Sequence, residues 1–146
     1  MTDTNPSGTQ RITQERARQL NEEGYSIADD LGYTANELAL AAQGYLWANE
    51  QLQFSIPAKI KELERTIAAL PRLAITSGAR RELSSLIQEM KLGPLNFVGL
   101  PPSWPWAQTA FKPSGDPVRN LEKAGALIAA EIDRTQASIE GIAVSS

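Results

Sequence analysis

From Thr9 to Ile139 the apolar residues recur at intervals of three and four, and no window of four or more residues alternates cleanly with β-branched side chains. A 3.6-residue period without a two-residue period calls for helices packed on helices. The expected fold class is therefore all-α: about five helices in a compact bundle, with a helical hairpin insertion and a long Pro/Trp-rich loop. The 146 residues suit one core. At that size roughly 68 to 70% of the unfolded surface can be buried, so folding needs no covalent or metal staple. The chain holds neither Cys nor His. Zinc and iron–sulfur sites built on those residues, thiol nucleophiles, His-based triads and imidazole acid–base chemistry are thereby excluded, and any metal would have to be held by oxygen.

Along the chain, residues 1–8 are small and polar and are expected to be disordered, with 9–146 forming one helical domain. Helix one starts at Thr9, presents Ile12, Arg16, Gln19 and Leu20, and runs to Glu23, where Gly24 stands at a helix-stop position. The loop YSIADDLGY follows. Thr34 and Glu37 have capping-box spacing, which starts helix two at Ala35, with Leu38, Ala41, Ala42, Tyr45, Ala48 and Leu52 facing inward. Ser55 and Pro57 open helix three, striped by Ile60, Leu63, Ile67 and Leu70, and Pro71 stops it. Ser77 is the expected cap of helix four, whose stripe is Leu83, Leu86, Ile87 and Met90 and whose end is Gly93-Pro94. These two helices make the hairpin of 57–92. Its mixed charge beside a narrow apolar stripe suits either a dimerisation arm or an arm folded onto the body.

The loop from Gly93 to Asp116 is long for a compact domain, and loops beyond about 12 to 15 residues are usually functional or disordered. It carries five prolines with Phe97, Trp104, Trp106 and Phe111, too much aromatic surface for disorder. Asp116-Pro117 is the sharpest start signal in the chain and opens helix five, which runs to Gln136 or beyond. Leu121, Ala124, Gly125, Ile128, Ile132 and Ile139 read as one side of it, and Gly125, Ala126, Ala129 and Ala130 leave part of its surface nearly flat, so that a neighbouring backbone can approach closely. The Ala-rich face of helix two is its natural partner.

Two constellations could carry chemistry. Trp104, Trp106 and Phe111 supply flat apolar walls, while Lys112, Arg119 and Lys123 stand near the start of helix five, whose free amides also favour an anion. Together these are the parts needed to stack a base and neutralise a phosphate. The plain alternative is indoles that lid the core and cations that are solvated surface. The second constellation is acidic: Glu22, Glu23, Asp29, Asp30 and Glu37 could hold Mg²⁺, which takes oxygen ligands, although charge runs are also ordinary solvated surface. No phosphate-loop or nucleophile-elbow motif occurs.

These residues resemble a widespread family of small phage and prophage proteins. The likeness rests on Glu23-Gly24-Tyr25, Asp29-Asp30, Glu37-Leu38-Ala39 with Ala41, Ala42 and Tyr45, then Trp104-Pro105-Trp106, Phe111-Lys112-Pro113, Arg119-Asn120-Leu121, Lys123 through Ile128, and Ala130-Glu131-Ile132. It covers helices one and two and everything from Trp104 to Arg134, but not Pro57 to Leu92, which looks like a variable insertion. The relatives carry a His on either side of the Asp-Asp pair, where this chain has Ile27-Ala28 and Leu31-Gly32-Tyr33. Metal binding or proton transfer that those histidines support would be missing here.

The resulting expectation is a phage-encoded, non-enzymatic protein that binds a phosphorylated, nucleotide-like small molecule, with sequestration of a host immune signal as the role implied by the resemblance. It needs no cofactor and is expected to be a homo-oligomer. Two alternatives stand beside it: a Mg²⁺-dependent all-α nucleotide pyrophosphohydrolase using the acidic set, and a protein that binds and inhibits a host factor. Net charge of -3 and a pI near 5.0 argue against a nucleic-acid polymer as partner. Mean hydropathy of -0.28 without a long apolar run argues against a membrane span. With no apolar segment in the first twenty residues, the expected address is cytoplasmic.

Overall fold

The computed structural model describes residues 5–22 and 36–141, with the Glu22 side chain outside that set. The fold is all-α: the described residues form five α-helices and no strand. The helix stop at Gly24, the loop through Asp29 and Asp30, and the expected start at Thr34-Ala35 lie outside the described residues, as do residues 1–4 of the N-terminal tail. No helix among the described residues is long and apolar enough to cross a membrane.

Helix α1 spans Gly8–Glu22. Its start is set by a capping box absent from the sequence reading: the Gln10 amide donates to the Ser7 hydroxyl at 3.2 Å, and the Ser7 amide to the Gln10 side chain at 2.7 Å. Helix α2 spans Glu37–Glu50, so Glu37 is its first residue and not the third position of a capping box; Asn36 precedes it in the left-handed region, at φ 70°.

A second correction concerns the next junction. Ser55 is helical and caps nothing: the chain runs on through a π-helical turn, Gln51–Ser55, into α3, Ile56–Ala69. Proline inside a helix lacks one amide and clashes with the preceding turn, and a widened turn just ahead of Pro57 accommodates both defects. Helix α4 spans Ser77–Leu92. Thr76 holds its N-cap position, and the Ser77 hydroxyl donates instead to the Ala74 carbonyl at 2.8 Å, closing the short 3₁₀ turn before the helix. Arg80 reaches back across the hairpin to the carbonyls of Ile67, Leu70 and Pro71 at 3.0 to 3.2 Å, satisfying the open end of α3.

Helix α5 spans Pro117–Ile139, capped by Asp116, whose carboxylate accepts from the Val118 amide at 2.9 Å. Two apolar clusters result. One joins Leu38, Ala41, Ala42 and Tyr45 of α2 to Ala124, Leu127 and Ala130 of α5, with Trp104, Trp106 and Phe111 packed against it. The other joins Ala48 to the hairpin residues Ile56, Leu63, Ile87 and Met90 and to Val98, so the hairpin's stripe is used within the chain. Phe111 touches both.

Of the expected side of α5, Leu121, Ala124, Gly125, Ile128, Ile132 and Ile139, Ala124 is buried while Leu121, Ile128, Ile132 and Ile139 are exposed. The flat small-residue surface is the one that is covered: Ala126 and Ala130 are buried with Asn120, Ala124 and Leu127, because small residues let α2 approach closely, and the larger aliphatics are turned out. Gly125 marks where α1 passes: a Cβ there would lie 2.6 Å from Ile12 Cδ1.

Candidate functional site

The long loop is not structureless. It holds two 3₁₀ turns, Pro94–Phe97 and Gln108–Ala110, and is tied to both helices of the first cluster. On α2, Gly44 lets the loop approach, since a Cβ there would sit 3.0 Å from Trp104 Cε3 and 3.2 Å from Pro101 Cγ. The Ser103 hydroxyl donates to the Leu40 carbonyl at 3.3 Å, and the Lys112 amide to the Tyr45 hydroxyl, also at 3.3 Å. On α5, fully buried Asn120 accepts from the Ser114 amide at 2.7 Å and donates to its carbonyl at 2.8 Å. The Lys123 ammonium donates to the Lys112 carbonyl at 2.5 Å.

The aromatic rings form one group. Trp104 meets Tyr45 and Trp106 edge-on, with centroids 5.6 and 5.5 Å away, and meets Phe111 at 4.9 Å. The Trp104 indole N–H is satisfied by the Ala107 carbonyl at 3.0 Å. Both indoles are half-buried against the core, and both also face a recess of about 360 Å³. That recess lies between the loop (Trp104, Trp106, Lys112), α1 (Glu15, Arg18, Gln19), Tyr45 of α2, and Lys123 and Leu127 of α5. Lys123 stands over the Tyr45 ring at 5.5 Å. Four of the six candidate residues, Trp104, Trp106, Lys112 and Lys123, therefore line one cavity.

The other two do not. Phe111 packs behind Tyr45 and Trp104, supporting the wall. Arg119 is a strut: its guanidinium donates to Glu15 at 2.5 Å and to Glu122 at 3.2 Å. Glu15 is only 1% exposed and also takes a two-pronged bond from Arg18 at 2.8 and 2.7 Å and one from Gln19 at 3.2 Å. Burial alone would raise the Glu15 carboxyl, but the hydrogen bonds from Arg18 and Arg119 outweigh it and hold the group below its ordinary range. Burial likewise works to lower Arg119, and its bond to Glu15 prevails and raises it. Arg11 extends the network, reaching Glu122 at 3.4 Å.

Sequence reasoning missed Glu15, Arg18 and Tyr45 as recess residues. The available signal was Glu15, an acid beside the inward positions of α1, with cations at Arg18 and Arg119 to match it. Of the acidic set, the side chain of Glu22 and all of Glu23, Asp29 and Asp30 lie outside the described residues, and Glu37 is half-buried at the start of α2. Among the described residues no group of three or more carboxylates could hold a metal ion. No protein-family model, curated protein or solved structure matches this chain.

Proposed function

We propose that this chain captures a phosphorylated, nucleotide-like small molecule in the recess and holds it without turnover. The observation that carries this reading is the convergence of Trp104 and Trp106 with Arg18, Lys112 and Lys123 on one cavity. Its lining has three cations against one carboxylate, Glu15, in a chain whose net charge is -3. A flat base takes an indole wall, a phosphate takes ammonium and guanidinium donors, and the volume lies within the usual range of about 300 to 1,000 Å³ for small-molecule sites. Glu15 also has a role here: by holding Arg18 on two prongs it orients a guanidinium at the cavity edge, where a phosphate would compete for it. The likeness to small phage proteins gives such capture a setting, removal of a host immune signal nucleotide from the cytoplasm.

Calorimetric titration with a panel of linear and cyclic nucleotides tests the proposal, with the ligand recovered afterwards in the presence of Mg²⁺. Trp106→Ala and Lys112→Glu each weaken binding at least tenfold, the ligand returns intact, and Lys112→Glu, an exposed change, moves stability by no more than about 0.5 kcal/mol. Absence of binding across the panel, or affinity unchanged in both variants, overturns the reading. Released pyrophosphate would replace capture with hydrolysis.

A further inference from the structure

The outward face of α5 is apolar along its whole length. Leu121, Ile128, Ile132 and Ile139 are 42, 44, 61 and 77% exposed, and none of the described elements covers them. With Thr135 they form a stripe at positions 121, 128, 132, 135 and 139, spaced by the sevens, fours and threes of a helix–helix seam, while Gly125 lies under Ile12 of α1. Beside it an apolar groove of about 430 Å³ runs between Ile128 and Ile132 on α5 and Ala39, Ala42 and Leu46 on α2; Leu46 is itself exposed. Apolar surface of this continuity marks an interaction site.

We infer that this face is the dimer interface, closed by the same face of a second copy with the two α5 helices antiparallel and their two-fold axis crossing the outward face at the level of residue 130. Three features favour a second copy. The large aliphatics are palindromic about residue 130: in the antiparallel register Leu121 meets Ile139 and Ile128 meets Ile132, so each of the four faces another. A surface that is its own complement under a two-fold is what an isologous interface requires.

Helix dipoles agree with that direction: antiparallel pairing opposes the two α5 dipoles, whereas parallel pairing sets like ends together.

Size agrees as well. An α5 of 23 residues is about 35 Å long and an α2 of 14 residues about 21 Å, giving roughly 500 to 600 Å² of planar footprint at helix width. Rough side-chain surface exceeds its footprint, which brings the face to the order of the ~800 Å² per partner of stable interfaces. The recess lies on the other side of the α2–α5 pair, so dimerisation leaves it open.

Light scattering after gel filtration reads the assembly, and cross-linking reads its direction. The wild type elutes as a dimer. Ile132→Glu keeps its helical circular dichroism, because the residue is already mostly exposed, yet its dimer dissociates about a hundredfold or more readily, since the two-fold sets two carboxylates in the seam. The chain has no cysteine, so Leu121→Cys and Ile139→Cys variants carry single thiols. Mixed together they are joined by a short bis-maleimide, while neither is joined to itself, because residue 121 and its own copy are about 27 Å apart in the antiparallel register. A monomeric wild type, or a dimer indifferent to Ile132→Glu, overturns the interface; cross-linking of Leu121→Cys with itself overturns the direction.

Discussion

Replacing Glu15 by Gln tests whether the ion network under the recess holds α1 to α5. The substitution keeps shape and volume but removes the charge on which two guanidiniums converge and one of the two carboxylate oxygens. Charge-assisted hydrogen bonds contribute about 1.5 to 3 kcal/mol each, and breaking a buried ion pair costs about 3 to 5 kcal/mol. Here the carboxylate is buried, but Arg18 and Arg119 keep 29 and 30% of their side-chain surface in water, so the orphaned cations are partly rehydrated. The expected loss is about 2 to 3 kcal/mol, or roughly 6 to 10 °C in Tm for a domain of this size.

The loss depends on pH. The Glu15 carboxyl is held below its ordinary value of 4.5 in the folded protein, so the unfolded chain binds its proton more readily. Its stabilisation is complete above that value and disappears as pH falls from about 4.5 through the lower folded value. Thermal melts by circular dichroism between pH 3 and 8 should therefore show wild type and Glu15→Gln well apart at neutral pH and converging in acid. Equal Tm values at pH 7, or a gap that persists undiminished at pH 3, would refute the assignment of Glu15 as the network's anchor.

Two further changes probe how the loop is held. Gly44→Leu drives a side chain into Trp104 and Pro101, and overpacking of this kind costs about 1 to 3 kcal/mol; near-UV circular dichroism should lose the indole signal while far-UV helicity survives, and an intact indole signal would show that the loop gives way easily. Asn120→Ala strips the buried partner from both the amide and the carbonyl of Ser114. A denaturant titration should report a loss of about 1 to 3 kcal/mol, and a neutral result would mean that water reaches those groups.

Much of the architecture was legible because helix signals are local. The Asp116-Pro117 start, the arms of the hairpin and the alanine face of α2 each depend on residues within a turn or two of one another. Junctions were harder. The passage from α2 to α3 reads as two helices because proline ordinarily starts or breaks one, yet a single π-turn carries the chain through. The Ser77 hydroxyl was free to cap or to bond backward, and the 3₁₀ turn before it set the choice.

The candidate site divides in the same way. Chemical type was readable: indoles and cations are visible in any one-dimensional text, and four of the named six meet at the recess. Partnership was not. Lys123 and Arg119 lie a turn apart on one helix, but Glu15, more than a hundred residues earlier, ties Arg119 down and leaves Lys123 at the cavity. Likewise α5 shows two apolar faces in its sequence, a flat small-residue one suited to α2 and one of large aliphatics, and its own periodicity leaves open whether the second is covered too. Only the approach of α2, close enough to need small side chains, buries the alanines and turns the larger residues outward. Sequence alone determined the helices and the inventory of chemistry, since those follow from neighbours in the chain; which face packs and which cation is spoken for required the third dimension, because both are settled by contacts between residues far apart in sequence.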